Sequence, residues 1–370
     1  MELFFDLVYV FAFTQLSELL YEHLTFLGAL ETTVVFLALW WGWNQTAWTT
    51  DWVDPERPPV LILLSVLMVL SLVMSASILR AFGSRGEPFA ITFVAMQLLR
   101  VGFMAWVFGP SHPLGRNYMQ MFVWVAIAGI GWVVGGIVDD SHARLAIWIG
   151  ALAVEYGMPL SGYRLPGVAP VPVQTWTLAG AHLAERCQLV LMVAFGETML
   201  RIGEALTAEG LTFTVIVAFV IGFGLIFGLW TIYYLHHAER GAETLVRSGR
   251  GAVRLAGFVF TYAHAVMVGA VIAVAVAVHM AVEEPNAPVS TGFSLICLGG
   301  PALYLVGIAM SKRWLGHGRS QPPALGAAAL LVLGIPAAFG DRLSELIAAA
   351  LVVSAMSMLS VRDYGREPVV

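Results

Sequence analysis

Residues 60–78 read VLILLSVLMVLSLVMSASI, nineteen positions without a charged side chain. An α-helix needs about 20 such residues to cross the roughly 30 Å hydrocarbon layer of a bilayer. A barrel strand would alternate lipid-facing and lumen-facing residues, and this run does not alternate. Similar runs recur along the chain at 3–24, 30–49, 59–80, 88–108, 117–137, 143–160, 183–205, 212–235, 253–281, 290–311, 322–339 and 343–361. The fifth, sixth, eleventh and twelfth are set apart only by short Gly-rich or Asp-containing breaks, so the count lies between ten and twelve. The expected fold is all-α, a polytopic integral membrane bundle of about twelve transmembrane helices.

Composition agrees with this. Hydrophobic residues make up 59% of the chain and charged residues only 12%, where a soluble domain carries about a quarter. A net charge of −5 and the lack of a basic stretch exclude a nucleic-acid binder. The two cysteines, Cys187 and Cys297, lie inside apolar runs, which disfavours a disulfide scaffold. Met1-Glu2-Leu3-Phe4-Phe5-Asp6 leads straight into an apolar segment with no basic n-region or cleavage site. The first span is therefore expected to remain in the mature protein. Membrane lipids are the expected surroundings.

The Pro/Gly-rich connector 161–182 divides the chain into halves at 1–160 and 183–370. At an offset of 182, Leu7-Val8 falls on Leu189-Val190, Ala12-Phe13 on Ala194-Phe195, Gln15 on Glu197 and Glu22 on Glu204. Slightly shifted, Leu39-Trp40 matches Leu229-Trp230, and Trp43-Asn44 meets Tyr233-Tyr234. Asp139-Asp140 and Asp341 precede the last span of each half. Six spans per half is an even number, so this pattern predicts two parallel six-helix repeats.

Ionisable groups inside spans cost at least about 2.5–3.5 kcal/mol each on insertion scales. They concentrate in the first span of each half: Glu2, Asp6, Glu18 and Glu22 with polar Gln15, then His182, Glu185, Arg186, Glu197, Arg201 and Glu204 with polar Gln188. Glu197, Arg201 and Glu204 are spaced so that they can neutralise one another on one helix face. Groups near helix ends, such as Glu2, His182 and Glu185, can meet the helix dipole or water at little cost. Asp6, Glu197 and Arg100 lie deeper. Arg100 has Gln97 one turn before it and is expected to pair across helices, with Asp6 and Glu197 as the leading partners.

Glu2-Leu3-Phe4-Phe5-Asp6-Leu7-Val8-Tyr9-Val10 resembles the ELFFDLVFV opening of the bacterial low temperature requirement protein A (LtrA) family. His182-Leu183-Ala184-Glu185-Arg186 and Ala194-Phe195-Gly196-Glu197-Thr198 resemble its second signature, HLxERF…LGES, with Cys187, Phe195 and Thr198 as departures. Hydropathy and motif order extend the resemblance over nearly the whole chain. It implies a bacterial multi-pass membrane protein, with Glu2, Asp6, Glu185, Arg186 and Glu197 as the family's polar positions, and assigns them no chemistry.

Asp139, Asp140, His142 and Arg144 have no known metal-site spacing and read as a solvated loop, as do Asn44, Asp51 and Asp54. His236 and His237 are adjacent, so they point about 100° apart on a helix and do not chelate one metal. His264 stands within a span, either as a proton relay or as a packing histidine. Trp40, Trp41, Trp43, Trp48 and Trp52 read as an interfacial aromatic belt, or as a ligand wall. No cofactor or metal motif is present. The expected activity is transporter-like, with a small-solute or lipid-like substrate bound between the halves. Asp6, Glu197, Arg100, Glu185, Arg186, Glu2, Gln15, Gln188, His182 and His264 are the binding or proton-coupling candidates. An intramembrane enzyme that acts on a lipid or isoprenoid through buried carboxylates is the alternative.

Loop cations set the orientation. Arg57, Arg116, Arg164, Arg240, Arg247, Arg250, Arg254, Lys312, Arg313, Arg319, Arg362 and Arg366 fall on the N-terminal side, against Arg80, Arg85, Arg144 and Arg342 opposite. Both termini are expected in the bacterial cytoplasm, with the spans in the inner membrane. A C-terminal green fluorescent protein fusion should then fluoresce, and a C-terminal alkaline phosphatase fusion should be inactive. The reverse pattern would overturn this orientation.

Overall fold

A computed structural model describes residues 1–168, 180–235, 255–315, 321–337 and 340–364. Twelve helices carry the described chain, and each expected span falls on one of them. They are α1 (Glu2–Glu22), α2 (Phe26–Thr50), α3 (Pro58–Ser75), α4 (Gly86–Phe108), α5 (Pro113–Ile137), α6 (Ser141–Ser161), α7 (Gly180–Glu209) and α8 (Phe213–Tyr234). They continue with α9 (Gly257–Glu283), α10 (Thr291–Leu315), α11 (Gln321–Ala337) and α12 (Arg342–Tyr364). Nine are long and apolar enough to cross a membrane, among the described residues. The other three are α6 and α7, which carry ionisable side chains along their length, and α11, at 17 residues. The protein is a multi-pass membrane protein built of helices.

Local chemistry sets the boundaries. α3 stops at Ser75, short of the expected Arg80, because Ile78–Arg80 tighten into a 3-10 turn. Pro58 and Pro113 open α3 and α5, where their missing N–H is not needed. α6 ends at Gly162, whose left-handed backbone (φ 68°) lets Tyr163 N–H reach the Met158 carbonyl at 3.0 Å. The first residues of α9, Gly257–Ala263, wind as a π-helix. α10 is interrupted at Leu298, just before Gly299-Gly300-Pro301.

The chain forms two compact units. One comprises residues 1–19 and 27–179, the other residues 20–26 and 180–370. In the first, α4 packs on α3 and α5, and α5 packs on α6. An aromatic core of Phe89, Phe93, Trp132 and Trp148 fills that interface, with Trp132 and Trp148 centroids 5.2 Å apart. In the second, α9 packs on α7, α8 and α10, and α12 packs on α8 and α11.

Two sequence expectations are corrected here. Trp40, Trp41 and Trp43 do not form a headgroup belt. They are buried, because α2 turns that face toward protein rather than lipid. Nor is Arg144 a solvated loop residue. It lies in the first turn of α6 and is 3% exposed. Its guanidinium donates to the carbonyls of Ala81 (2.7 Å), Gly83 (2.8 Å), Gly135 (3.0 Å), Gly136 (3.4 Å) and Val138 (2.8 Å). The end of α5 and the turn after α3 leave such carbonyls without intrahelical donors. One side chain therefore closes two chain ends. Gly86 makes room for it, since a Cβ there would lie 2.5 Å from Arg144 Cζ. Asp140, beside it, caps α6 by accepting from Ala143 N–H at 2.7 Å. His236 and His237 lie outside the described residues.

Replacing Arg144 with Met should cost about 3 kcal/mol or more, since buried carbonyls lose charge-assisted donors. Unfolding of the purified protein in detergent measures this. A stability equal to wild type would show that the carbonyl cage does not hold the unit together.

Candidate functional site

In the first unit several buried polar groups converge on the C-terminal halves of α2, α4 and α6. Gln97 and Arg100, three residues apart, share one face of α4. Arg100 donates to the Gln97 side-chain oxygen, to the Gly42 carbonyl (3.3 Å) and to Thr46 Oγ1 (3.5 Å) on α2. Gln97 Nε2 in turn donates to Glu155 Oε1 on α6 at 3.5 Å. Arg100 is 1% exposed and Glu155 5%. Tyr9, Tyr118 and Tyr163 lie within electrostatic reach of the guanidinium. By helix rise, Arg100 is about 12 Å from the end of α4, well below the helix terminus.

Next to Gly42, Trp43 donates its indole N–H to Asp6 Oδ1 at 2.8 Å. The α1 stripe of Phe5, Tyr9 and Phe13 covers this pair, with centroids 5.3 and 6.4 Å apart. Two carboxyl groups and the Arg100 guanidinium thus lie buried around α2, with another buried guanidinium of this unit, Arg144, at the start of α6. A cavity of about 10 Å³ touches Arg100 and Glu155, bordered by Trp41, Trp124, Met158 and Tyr163. That volume is at the threshold for one water molecule.

The second unit uses different chemistry. Arg201 Nε lies 3.3 Å from Glu197, and Arg201 NH1 lies 3.5 Å from Glu204, the self-neutralising row that the spacing suggested. Glu197 and Arg201 are buried, and Glu204 is exposed. His264 Nδ1 sits 2.8 Å from the Val259 carbonyl and Nε2 sits 2.9 Å from Tyr233 Oη. A carbonyl only accepts, so Nδ1 carries the hydrogen and Nε2 accepts from Tyr233. His264 backbone N–H also bonds Val259, five residues back, which is the π-helical connection.

The sequence candidates divide accordingly. Arg100 and Asp6 both meet α2, Asp6 through Trp43 and Arg100 through Gly42 and Thr46. The hydrogen-bonded route from Arg100 to a carboxylate runs through Gln97 to Glu155. Arg186 is buried. Glu2, Gln15, His182 and Gln188 are partly exposed, and Glu185 is exposed. The Gln188 backbone carbonyl accepts from Tyr234 Oη at 3.2 Å. Glu155 was missed from sequence. Its signal was a lone acid in an apolar run four residues before Pro159, which has no N–H for the Glu155 carbonyl. Asn44, expected in a solvated loop, is instead buried within α2, and Asn117 and Gln120 are also buried without having drawn notice. No group of three or more His, Cys, Asp or Glu side chains is placed to hold a metal, among the described residues.

A family model described as bacterial low temperature requirement A protein (LtrA) matches residues 1–361. Uncharacterized protein RA0937 of Rhizobium meliloti (strain 1021) is 35% identical over 317 residues, 84% of this chain and 76% of that protein. No solved structure matches.

Replacing Arg100 with Met alone should destabilise the protein by about 3–5 kcal/mol, because it leaves the Glu155 charge uncompensated. Adding Glu155→Gln should restore at least half of the loss. Chemical unfolding in detergent gives both values. Equal loss in the single and double variants would mean that the two groups are not coupled.

Proposed function

The chain belongs to the bacterial low temperature requirement A family, and on that premise we propose that it moves a small solute or lipid-like substrate across the membrane, with proton exchange at Glu155. The observation that carries this reading is the buried Arg100–Gln97–Glu155 connection beside a water-sized cavity. Ionisable groups at this depth in membrane helices mark substrate or proton paths. Gln97 relays Arg100 to Glu155, so a change at either end is felt at the other.

The internal duplication belongs to the same proposal. Four of the aligned pairs are buried in both halves, Ala12 and Ala194, Phe13 and Phe195, Leu39 and Leu229, Trp43 and Tyr233, while Gln15 differs from Glu197 and Trp40 from Trp230. Asp140 and Asp341 each cap the sixth helix of their half, by bonds of 2.7 and 2.8 Å to the N–H groups of Ala143 and Ser344. α1 meets α2 through Asp6 and Trp43, and α7 meets α8 at the equivalent level through Gln188 and Tyr234. Duplicated helical halves are a common build of secondary transporters. An inner-membrane location with both termini cytoplasmic completes the reading.

The test uses proteoliposomes loaded with a pH-sensitive dye and given the small-molecule and lipid extract of bacterial cells. Wild type should show extract-dependent proton flux, and Glu155→Gln, reconstituted in amounts matched for folded protein, should abolish it. Equal flux in the two proteins, or none in wild type, would overturn the proposal.

A further inference from the structure

Glu345 lies in the first turn of α12, on the side of the second unit where residues 285–289 meet residues 340–343. It has no solvent exposure, and neither of its carboxyl oxygens makes a hydrogen bond among the described residues. The Ser294 hydroxyl of α10 stands beside the carboxyl and likewise closes no hydrogen bond. Cys297, one turn further along α10, faces the same group. Arg342 is on the preceding turn but is engaged elsewhere. Its guanidinium donates to the Met280 carbonyl (3.0 Å) and Glu284 (3.1 Å), and lies 5.6 Å over the Phe293 ring.

The other neighbours are also committed. At the end of α9, Glu283 accepts from Tyr21 at 2.7 Å and lies 4.0 Å from His279, whose Nδ1 meets the Arg201 carbonyl at 2.9 Å. Asp341 is held below the usual carboxylate range by the Ser344 N–H and hydroxyl. α8 presents no titratable side chain before Tyr233, and α11 presents none among the described residues. An ionised carboxylate in this position would be a buried charge with no cation against it among the described residues and at most the Ser294 hydroxyl to bond. A proton removes the charge and gives the carboxyl an O–H to offer Ser294 Oγ. An alkali cation would need several more oxygen ligands than one hydroxyl.

The same turn of α12 is the lower half of a backbone clasp. Val289 N–H meets the Gly340 carbonyl (3.3 Å), Arg342 N–H meets Ala287 (3.1 Å) and Leu343 N–H meets Pro285 (2.9 Å). These bonds join the α9–α10 connection to the start of α12. Burial of Glu345 and closure of the clasp therefore require each other.

We propose that Glu345 is a proton-binding site whose protonation holds this clasp closed, and whose deprotonation releases the start of α12. The inference is independent of the transport reading, since it concerns another carboxyl and a local opening. Proton loss leaves a carboxylate that gains by reaching water, and the clasp bonds are what stand in its way.

Two measurements on the full chain in lipid nanodiscs test it. The first is amide hydrogen exchange of residues 285–289 and 340–345, as the ratio of wild type to Glu345→Gln at each pH, so that intrinsic exchange cancels. The ratio should rise with pH by up to about tenfold per unit, the slope of one linked proton. The second is an infrared carbonyl band of a protonated carboxylic acid in wild type, lost on alkalinisation and missing from Glu345→Gln. A flat exchange ratio, or no band assignable to Glu345, would overturn the proposal. Exchange that follows sodium at constant pH, in sodium chloride against choline chloride, would also overturn it, by identifying an alkali cation as the counter-charge.

Discussion

A guanidinium buried among helices is disfavoured by several kcal/mol unless acceptors and an opposite charge are brought to it. Arg100 imposes that requirement on the first unit. Its five N–H groups point in fixed directions, so the acceptors must come from particular places on particular helices. Gln97 lies one turn away on the same helix. Gly42 and Thr46 are four residues apart on α2 and form a ledge, with Thr46 Oγ1 itself bonded to the Gly42 carbonyl at 2.8 Å. Glu155 supplies the charge through Gln97. Tyr156, next in sequence, ties α6 back to the Leu37 carbonyl of α2 at 2.8 Å. The register of α2, α4 and α6 follows from the geometry of one side chain.

Membrane-embedded helices have a second problem, in the carbonyls and N–H groups their ends leave open. This chain meets it with side chains rather than long loops. Arg144 gathers carbonyls from two chain ends, and Arg85 donates to the Ala76 carbonyl at 2.6 Å. Thr212, Ser290 and Asp341 accept the N–H groups that open α8, α10 and α12. A cation that looks like a topology signal in the sequence can thus be a structural cap. Arg144 and Arg342 are both of this kind, each donating to backbone carbonyls.

The helices were legible because an apolar run of membrane length has one solution in lipid. The self-neutralising row of Glu197, Arg201 and Glu204 was legible because i, i+3 and i, i+4 spacing is a local fact. The remainder of the site was not. Which acid meets Arg100 depends on how α6 packs, and Glu155 stands in no motif that would single it out. The tryptophans of α2 were misread because nearness to a span's end says nothing about which way an indole faces. Glu345, too, follows an arginine and a serine at a helix start, where a carboxylate ordinarily meets solvent and the dipole. Only the fold shows that its side chain is covered.

The two units also differ in how they handle buried polarity, and that difference bears on what each can do. The deep groups of α2, α4 and α6 include full charges, so their arrangement responds to any change in protonation. At the level of Tyr233 and His264 the second unit relies on neutral hydrogen bonds, as it does where Tyr304 donates to the Leu229 carbonyl at 3.1 Å. Such pairs specify a packing without storing charge. Its π-helical start to α9 places His264 so that one carbonyl takes both its ring N–H and its backbone N–H, an economical way to keep a histidine neutral among apolar neighbours. Its charges lie on α7, where Glu197 and Glu204 flank Arg201 and Arg186 is buried nearer the helix start, and near the helix ends. Proton exchange at Glu155, as proposed, would act on the helices around Arg100, while the neutral pair of His264 and Tyr233 carries no charge to respond.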